Sequence, residues 1–295
     1  MSDLVNEAQL ARDYLKRVGD MAELRLQEHL PLPSVIPNRL HEAMRYSMFA
    51  GGKRLRPALA CAAFEAFHGQ GESIWLITSA LEMLHTFSLI HDDLPCMDDD
   101  DLRRGMPTAH KKYGEATAVL SGDALCIHAF ELLARTGSAQ VVETIAHALG
   151  TSGMIGGQMM DIESEGRQVN LEIVDYIHYH KTAALIEASL VVGAICAGAD
   201  SDQIVPIREF GHAIGLAFQV VDDILDIEQT TEQLGKDAGS DLEKGKATYP
   251  SVIGLEASKK KACELYESSL RALDRSSAET RILRSIAAFI VTRVN

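Results

Sequence analysis

The chain is poor in cysteine, in aromatic residues and in positive charge. Its five cysteines, Cys61, Cys96, Cys126, Cys196 and Cys263, are scattered over 295 residues. An odd, unclustered set excludes a metal knuckle, a redox pair and a disulfide framework, and fits a reducing compartment. Aromatic residues make up only 5%, and alternating strand-like runs are almost absent, which leaves little from which to build a sheet. The N-terminal stretch MSDLVNEAQLARDYLKR is charged throughout and lacks an apolar signal core. The longest apolar run, about Ala188 to Ala199, falls short of the ~20 residues of a membrane span; it is expected to be a buried helix, with no span. These features predict a cytoplasmic protein. The net charge of -14, from 28 basic and 42 acidic residues, repels a nucleic-acid backbone. A local cluster of bases can still hold a small phosphate-bearing molecule inside such a protein.

Helical periodicity fills the chain instead. Leu40, Ala43, Met44, Ser47 and Met48 recur at three-and-four spacing, as do Leu81, Leu84, His85, Ser88 and Leu89. Gly, Pro and Ser clusters punctuate the pattern, and none is a long low-complexity linker. The expectation is one all-α domain over residues 1–295. Within it, Phe87-Ser-Leu-Ile-His-Asp92-Asp93 is echoed by Phe218-Gln-Val-Val-Asp222-Asp223: each is an apolar helical stretch ending in paired aspartates.

On a helix Asp222 and Asp226 share a face. Several carboxylates on such an apolar helix are unfavourable unless cations gather there. Magnesium is the natural candidate, because it takes oxygen ligands and bridges carboxylates to phosphates. The run from Asp92 to Asp101 holds six acids in ten residues and no base, and Arg103 and Arg104 follow it. Pro95 should interrupt the helix and let the chain fold Asp98 back toward Asp92. Carboxylates for a metal beside guanidinium forks for phosphate oxygens suit a metal–diphosphate complex. An acidic run alone is ordinarily a solvated loop; two, each behind an apolar helix, are not. Gly51-Gly52-Lys53-Arg54-Leu55-Arg56-Pro57 adds a glycine-permitted close approach and three bases as a second anion signal.

Together, GGKRLRP, DDLPCMDDDDLRRG, GGQ, KT, FQVVDDILD and GKDAGSDLEKGKATYP resemble the trans-prenyl diphosphate synthases, and most nearly the bacterial-type farnesyl diphosphate synthases. The resemblance runs from about residue 40 to 250. It implies the isoprenoid synthase helical bundle around a deep central cavity, generally as a homodimer, with several magnesium ions per site and manganese as a substitute. It makes Asp92, Asp98 and Asp222 metal ligands, with Asp93 and Asp226 in support. It places isopentenyl diphosphate on Lys53, Arg56, His85 and Arg104, and the allylic diphosphate on Arg103, Lys181, Thr182, Gln219, Lys236 and Lys246. Lys181 and Gln219 interrupt apolar stretches and need partners if buried. Gln158 of GGQ reads equally as cavity lining or helix packing. His178 and His180 are two apart, share no helical face and receive no metal.

The reaction implied is ionisation, condensation and elimination, with Asp92, Asp98, Arg103, Lys181, Gln219, Asp222 and Lys236 as its machinery. An aromatic at Phe87, five residues before Asp92 and beneath Ser88, reads as a floor that stops growth at fifteen carbons, giving farnesyl diphosphate. The alternatives are a geranylgeranyl or geranyl diphosphate synthase, a terpene cyclase and a non-catalytic partner subunit. Residues 250–295 carry no motif beyond an apolar end at Ile286–Val291 that reads as a packing helix.

Overall fold

The computed structural model describes residues 2–228 and 246–294. The fold is all-helical, as the periodicity requires. The helices in order are α1 Ser2–His29, α2 Asn38–Met48, α3 Leu55–Ala66, α4 Ser73–Asp92, α5 Ala109–Tyr113, α6 Glu115–Ala134, α7 Ala139–Leu149, α8 Met154–Ser164, α9 Leu171–Ile177, a π-helical segment His178–Ala183, α10 Ala184–Cys196, α11 Ser201–Glu228, α12 Tyr249–Ile253, α13 Leu255–Asp274 and α14 Arg281–Val291. A short 3-10 turn, Thr292–Val294, follows α14. Among the described residues the only strands are β1 Leu102–Arg103 and β2 Met106–Pro107, an antiparallel ribbon with Arg103 opposite Met106.

The chain forms two compact units. The first comprises Met1–Tyr14, Leu59–Gln70 and Glu143–Asn295. In it α11 lies against α10 and α13. The segment read as a buried apolar helix is α10, of which every residue from Ala184 to Ala194 is buried; a helix apolar all round has to be. Val220, Val221, Ile224 and Leu225 of α11 close a core with Val174, Ile177 and Tyr249. Each such aliphatic side chain contributes roughly 1.5–3 kcal/mol when fully buried, so α11 is held rigidly where its acids sit.

The second unit comprises Leu15–Ala58 and Gly71–Val142, and its α4 runs along α6. By length and composition α4, α6 and α11 would each reach across a bilayer. A reading of uninterrupted apolar runs misses them, because each carries a few polar residues. Most of α4 and α11 is buried inside the protein, whereas α6 is less covered.

Candidate active site

In the second unit α4 ends at Asp92, where the helix dipole already disfavours an acid and a cation would be welcome. The chain then turns back as Pro95 demands. The Asp98 N–H donates to the Asp92 carbonyl at 2.8 Å, and the Asp99 N–H to the Leu94 carbonyl at 3.1 Å. The β1–β2 ribbon follows and carries Arg103, whose Nε donates to Asp93 Oδ1 at 2.9 Å and whose NH2 reaches Asp100 at 3.2 Å. Burial raises the Asp93 pKa, and the Arg103 guanidinium opposes that rise. Arg104 donates to the Gly51 carbonyl. Gly52 has φ +140°, and a Cβ there would lie 2.7 Å from the Arg104 guanidinium. Glycine is therefore required where the two anion-binding stretches meet.

The three bases of Lys53-Arg54-Leu55-Arg56 read together as an anion signal; the structure removes one of them. Arg54 is 3% exposed and donates to Glu82 at 2.6 Å, to Glu23 at 2.9 Å and to the Met48 carbonyl at 2.7 Å. It anchors the loop and leaves Lys53 exposed and Arg56 half-buried. Desolvation lowers the His85 pKa well below its usual value, and Arg56, Arg104, Arg103 and Arg54 reinforce the shift. A neutral imidazole thus sits in a cluster of guanidiniums, an environment made for an anion. A small cavity of about 30 Å³ beside the acids is walled by Tyr46, Thr86, Asp93, Arg103, Arg104 and Thr108 among others.

In the first unit a cavity of about 160 Å³ brings together Lys181, Thr182, Gln219, Asp222 and Lys246, with Asp161 and His178 in its wall. The π-helical segment widens the backbone at Lys181, and Gly157 lets α8 touch it: a Cβ on Gly157 would lie 2.3 Å from the Lys181 nitrogen. That decides GGQ in favour of packing for Gly157, and Gln158 is no part of the cavity wall. Half-buried Lys181 finds its partner in Asp161, at 2.6 Å. Gln219 donates to Asp223 Oδ1 at 3.1 Å. Asp222 pairs with Arg293 at 2.8 Å, and Asp226, one turn on, is buried. His178 is buried and pushed down to about 3, chiefly by desolvation, so it is neutral.

Asp161, His178, Asp223, Tyr249 and Arg293 were not assigned from the sequence. Asp223 and Tyr249 lie within motifs of the sequence and His178 was weighed only as a metal ligand, whereas Asp161 left a fainter signal, the acid one turn beyond the glycines of GGQMMD. Lys236 lies outside the described residues. Among the described residues no three His, Cys, Asp or Glu side chains converge into a closed metal cage. Paired carboxylates without a cage fit an ion that takes the rest of its oxygens from phosphate and water, as magnesium does.

The chain matches the polyprenyl synthetase family over residues 37–286. It belongs to that family. It is 48% identical to the large subunit 1 of a heterodimeric, chloroplastic geranylgeranyl pyrophosphate synthase of Arabidopsis thaliana, over 96% of this chain and 80% of the relative. It is 47% identical to the chloroplastic geranylgeranyl pyrophosphate synthase of Capsicum annuum, over 88% and 73%. Among solved structures, an FPP/GFPP synthase from Zymomonas mobilis matches with a TM-score of 0.83 and 36% identity over 96% of this chain and 99% of that one. A polyprenyl synthase from Caulobacter crescentus, complexed with calcium and isoprenyl diphosphate, matches at 0.86 and 28% identity over 96% and 98%.

The polyprenyl synthetase chain is thus a prenyltransferase with an isoprenyl synthase fold. Two expectations are corrected. The farnesyl reading gives way to the geranylgeranyl alternative, since the curated relatives bear that name. Phe87 is 9% exposed and packs edge-on against His91 at 5.6 Å. The cytoplasmic reading is corrected as well, because those relatives are chloroplastic; reduced cysteines do not distinguish one reducing compartment from another.

Proposed function

We propose that the protein is a magnesium-dependent geranylgeranyl diphosphate synthase, adding isopentenyl diphosphate to allylic diphosphates until twenty carbons are joined, and that residues 1–295 act as one domain. The likeness to geranylgeranyl synthases over nearly the whole chain carries this reading. The convergence of Lys181, Thr182, Gln219, Asp222 and Lys246 in one cavity supports it. Asp92, Asp98 and Asp222, supported by Asp93 and Asp226, would hold magnesium, which neutralises the diphosphate leaving group as charge develops. Manganese is expected to substitute.

Lys181, Lys246, Lys236 and Arg103 bind the allylic diphosphate and stabilise the negative charge that appears as the C–O bond breaks. Before substrate arrives, Asp161 balances the Lys181 ammonium. Gln219 and the Lys181 carbonyl face the developing allylic cation with dipoles. Lys53, Arg56, Arg104 and neutral His85 bind isopentenyl diphosphate, whose double bond attacks that cation. Proton loss to the departing diphosphate then restores an alkene, so no carboxylate base is required.

Purified protein given isopentenyl diphosphate with dimethylallyl, geranyl or farnesyl diphosphate should yield a twenty-carbon diphosphate with magnesium and nothing with chelator. A fifteen-carbon end product would overturn the product assignment. A hydrocarbon formed without isopentenyl diphosphate would overturn the reaction.

A further inference from the structure

The second aspartate of Asp222-Asp223-Ile-Leu-Asp226 lines the same cavity as Asp222, yet both of its carboxylate oxygens are engaged by the protein itself. Asp223 is 2% exposed. Its Oδ1 accepts from Gln219 at 3.1 Å, and its Oδ2 accepts from the Tyr249 main-chain N–H at 3.0 Å. The His178 Nε2 lies 3.5 Å from the same Oδ2. That main-chain donor is one of the N–H groups that a helix start leaves without an internal acceptor, and Tyr249 opens α12. Thr248 and Ser251 close a reciprocal capping box at the same point, so the backbone entering α12 is fixed on both sides. Tyr249 is itself buried with its ring 5.1 Å from that of His178, and its hydroxyl donates to Asp175 of α9. Lys246 and Thr248, which immediately precede it, line the cavity that also holds Gln219, Lys181 and Asp222.

We propose that Asp223 is a positioning residue rather than a metal ligand, and that Asp223, Tyr249 and Asp175 form a clamp that sets Gln219 and Lys246 in the cavity. Three elements far apart in sequence are pinned through one tyrosine: α9 by its hydroxyl, α11 by its main-chain nitrogen and the approach to α12 by covalent continuity. The two cavity side chains that depend on the clamp belong to the diphosphate-binding set. Their displacement should therefore weaken allylic diphosphate binding and leave the metal requirement alone. This inference rests on the synthase reading for the identity of its ligand.

The test uses Tyr249→Phe, which removes only the hydroxyl, Asp175→Asn and Asp223→Asn, each checked for an unchanged circular dichroism spectrum. Tyr249→Phe and Asp175→Asn should each raise KM for the allylic diphosphate about tenfold, the scale of one lost hydrogen bond to a charged group. The double variant should be no worse than either single one, since both remove the same bond. Asp223→Asn should raise the same KM by at least as much. In all of them KM for isopentenyl diphosphate and the magnesium concentration at half-maximal rate should stay within about twofold of the parent. Calorimetric titration of inorganic diphosphate with magnesium should weaken in parallel. A rise in the magnesium requirement of Asp223→Asn would make Asp223 a ligand and overturn the proposal. Unchanged allylic KM and diphosphate affinity in Tyr249→Phe would overturn it too, as would equal losses toward both substrates. Failure of the parent protein to make any prenyl diphosphate would instead sink the synthase reading, while the diphosphate titrations would still decide the clamp.

Discussion

Arg54 shows how a residue inside an anion-binding motif can serve the motif without touching an anion. Its φ of +47° is one a non-glycine residue rarely adopts, and its guanidinium is spent on Glu82, Glu23 and a carbonyl. Those contacts set the backbone from which Lys53 and Arg56 project. Removing one member of a buried ion pair strands the other, at a cost of about 3–5 kcal/mol. Arg54→Met should therefore lower stability by that order in urea denaturation, leaving Glu82, 2% exposed, without its cation. A loss near zero would mean that Glu82 finds water or another base. From the letters alone Arg54 could not be told from its basic neighbours, because the residues that bury it lie 31 and 28 positions away.

At the scale of elements, the turn that follows α14 matters most. Arg293, in the 3-10 turn after α14, pairs with Asp222 at 2.8 Å and lies over the Phe218 ring at 5.3 Å. The guanidinium occupies the place of a counter-ion on a carboxylate assigned to metal. An ion arriving at Asp222 must compete with it, so Arg293→Ala should lower the magnesium concentration at half-maximal rate several-fold; an unchanged or higher requirement would show that Arg293 does not compete. The sequence reading took Ile286–Val291 as a packing helix, and α14 is one, buried along Leu283 to Val291, but nothing in its apolar pattern pointed to the arginine beyond it. The turn after α4, by contrast, was legible, because a proline two residues past the paired aspartates leaves the chain few choices. The two-residue ribbon carrying Arg103 was too short to leave an alternating pattern. The π-helical segment at His178–Ala183 was invisible as well, since one extra residue in a turn leaves no compositional mark.

For the whole molecule, the net charge of -14 and the local guanidinium cluster around His85 coexist because binding is decided within a few ångströms, inside the screening length of physiological salt. Oligomeric state belongs to the same scale. Leu120 is 58% exposed and Ile127 71% on α6, an apolar face on a helix only partly covered. We propose that it is covered by a second copy of this chain. Light scattering should then give twice the 32.1 kDa chain mass, falling to one chain for Leu120→Asp/Ile127→Asp. A single-chain mass for the parent would refute self-association; one relative is the large subunit of a heterodimer, so a different chain would then be sought.

The bilayer-length helices have a consequence during synthesis. α10, one packing partner of α11, is complete before α11 emerges, so that helix is born beside a surface that can take it. α4 has less of that advantage: α2 is already made and touches it, but α6, which runs along its length, ends at Ala134, 42 residues after Asp92. At ordinary ribosome speeds that interval is on the order of a few seconds. For those seconds the helix that will present the first aspartates lacks its longest neighbour, and the nascent chain depends on whatever shields such segments at the tunnel mouth.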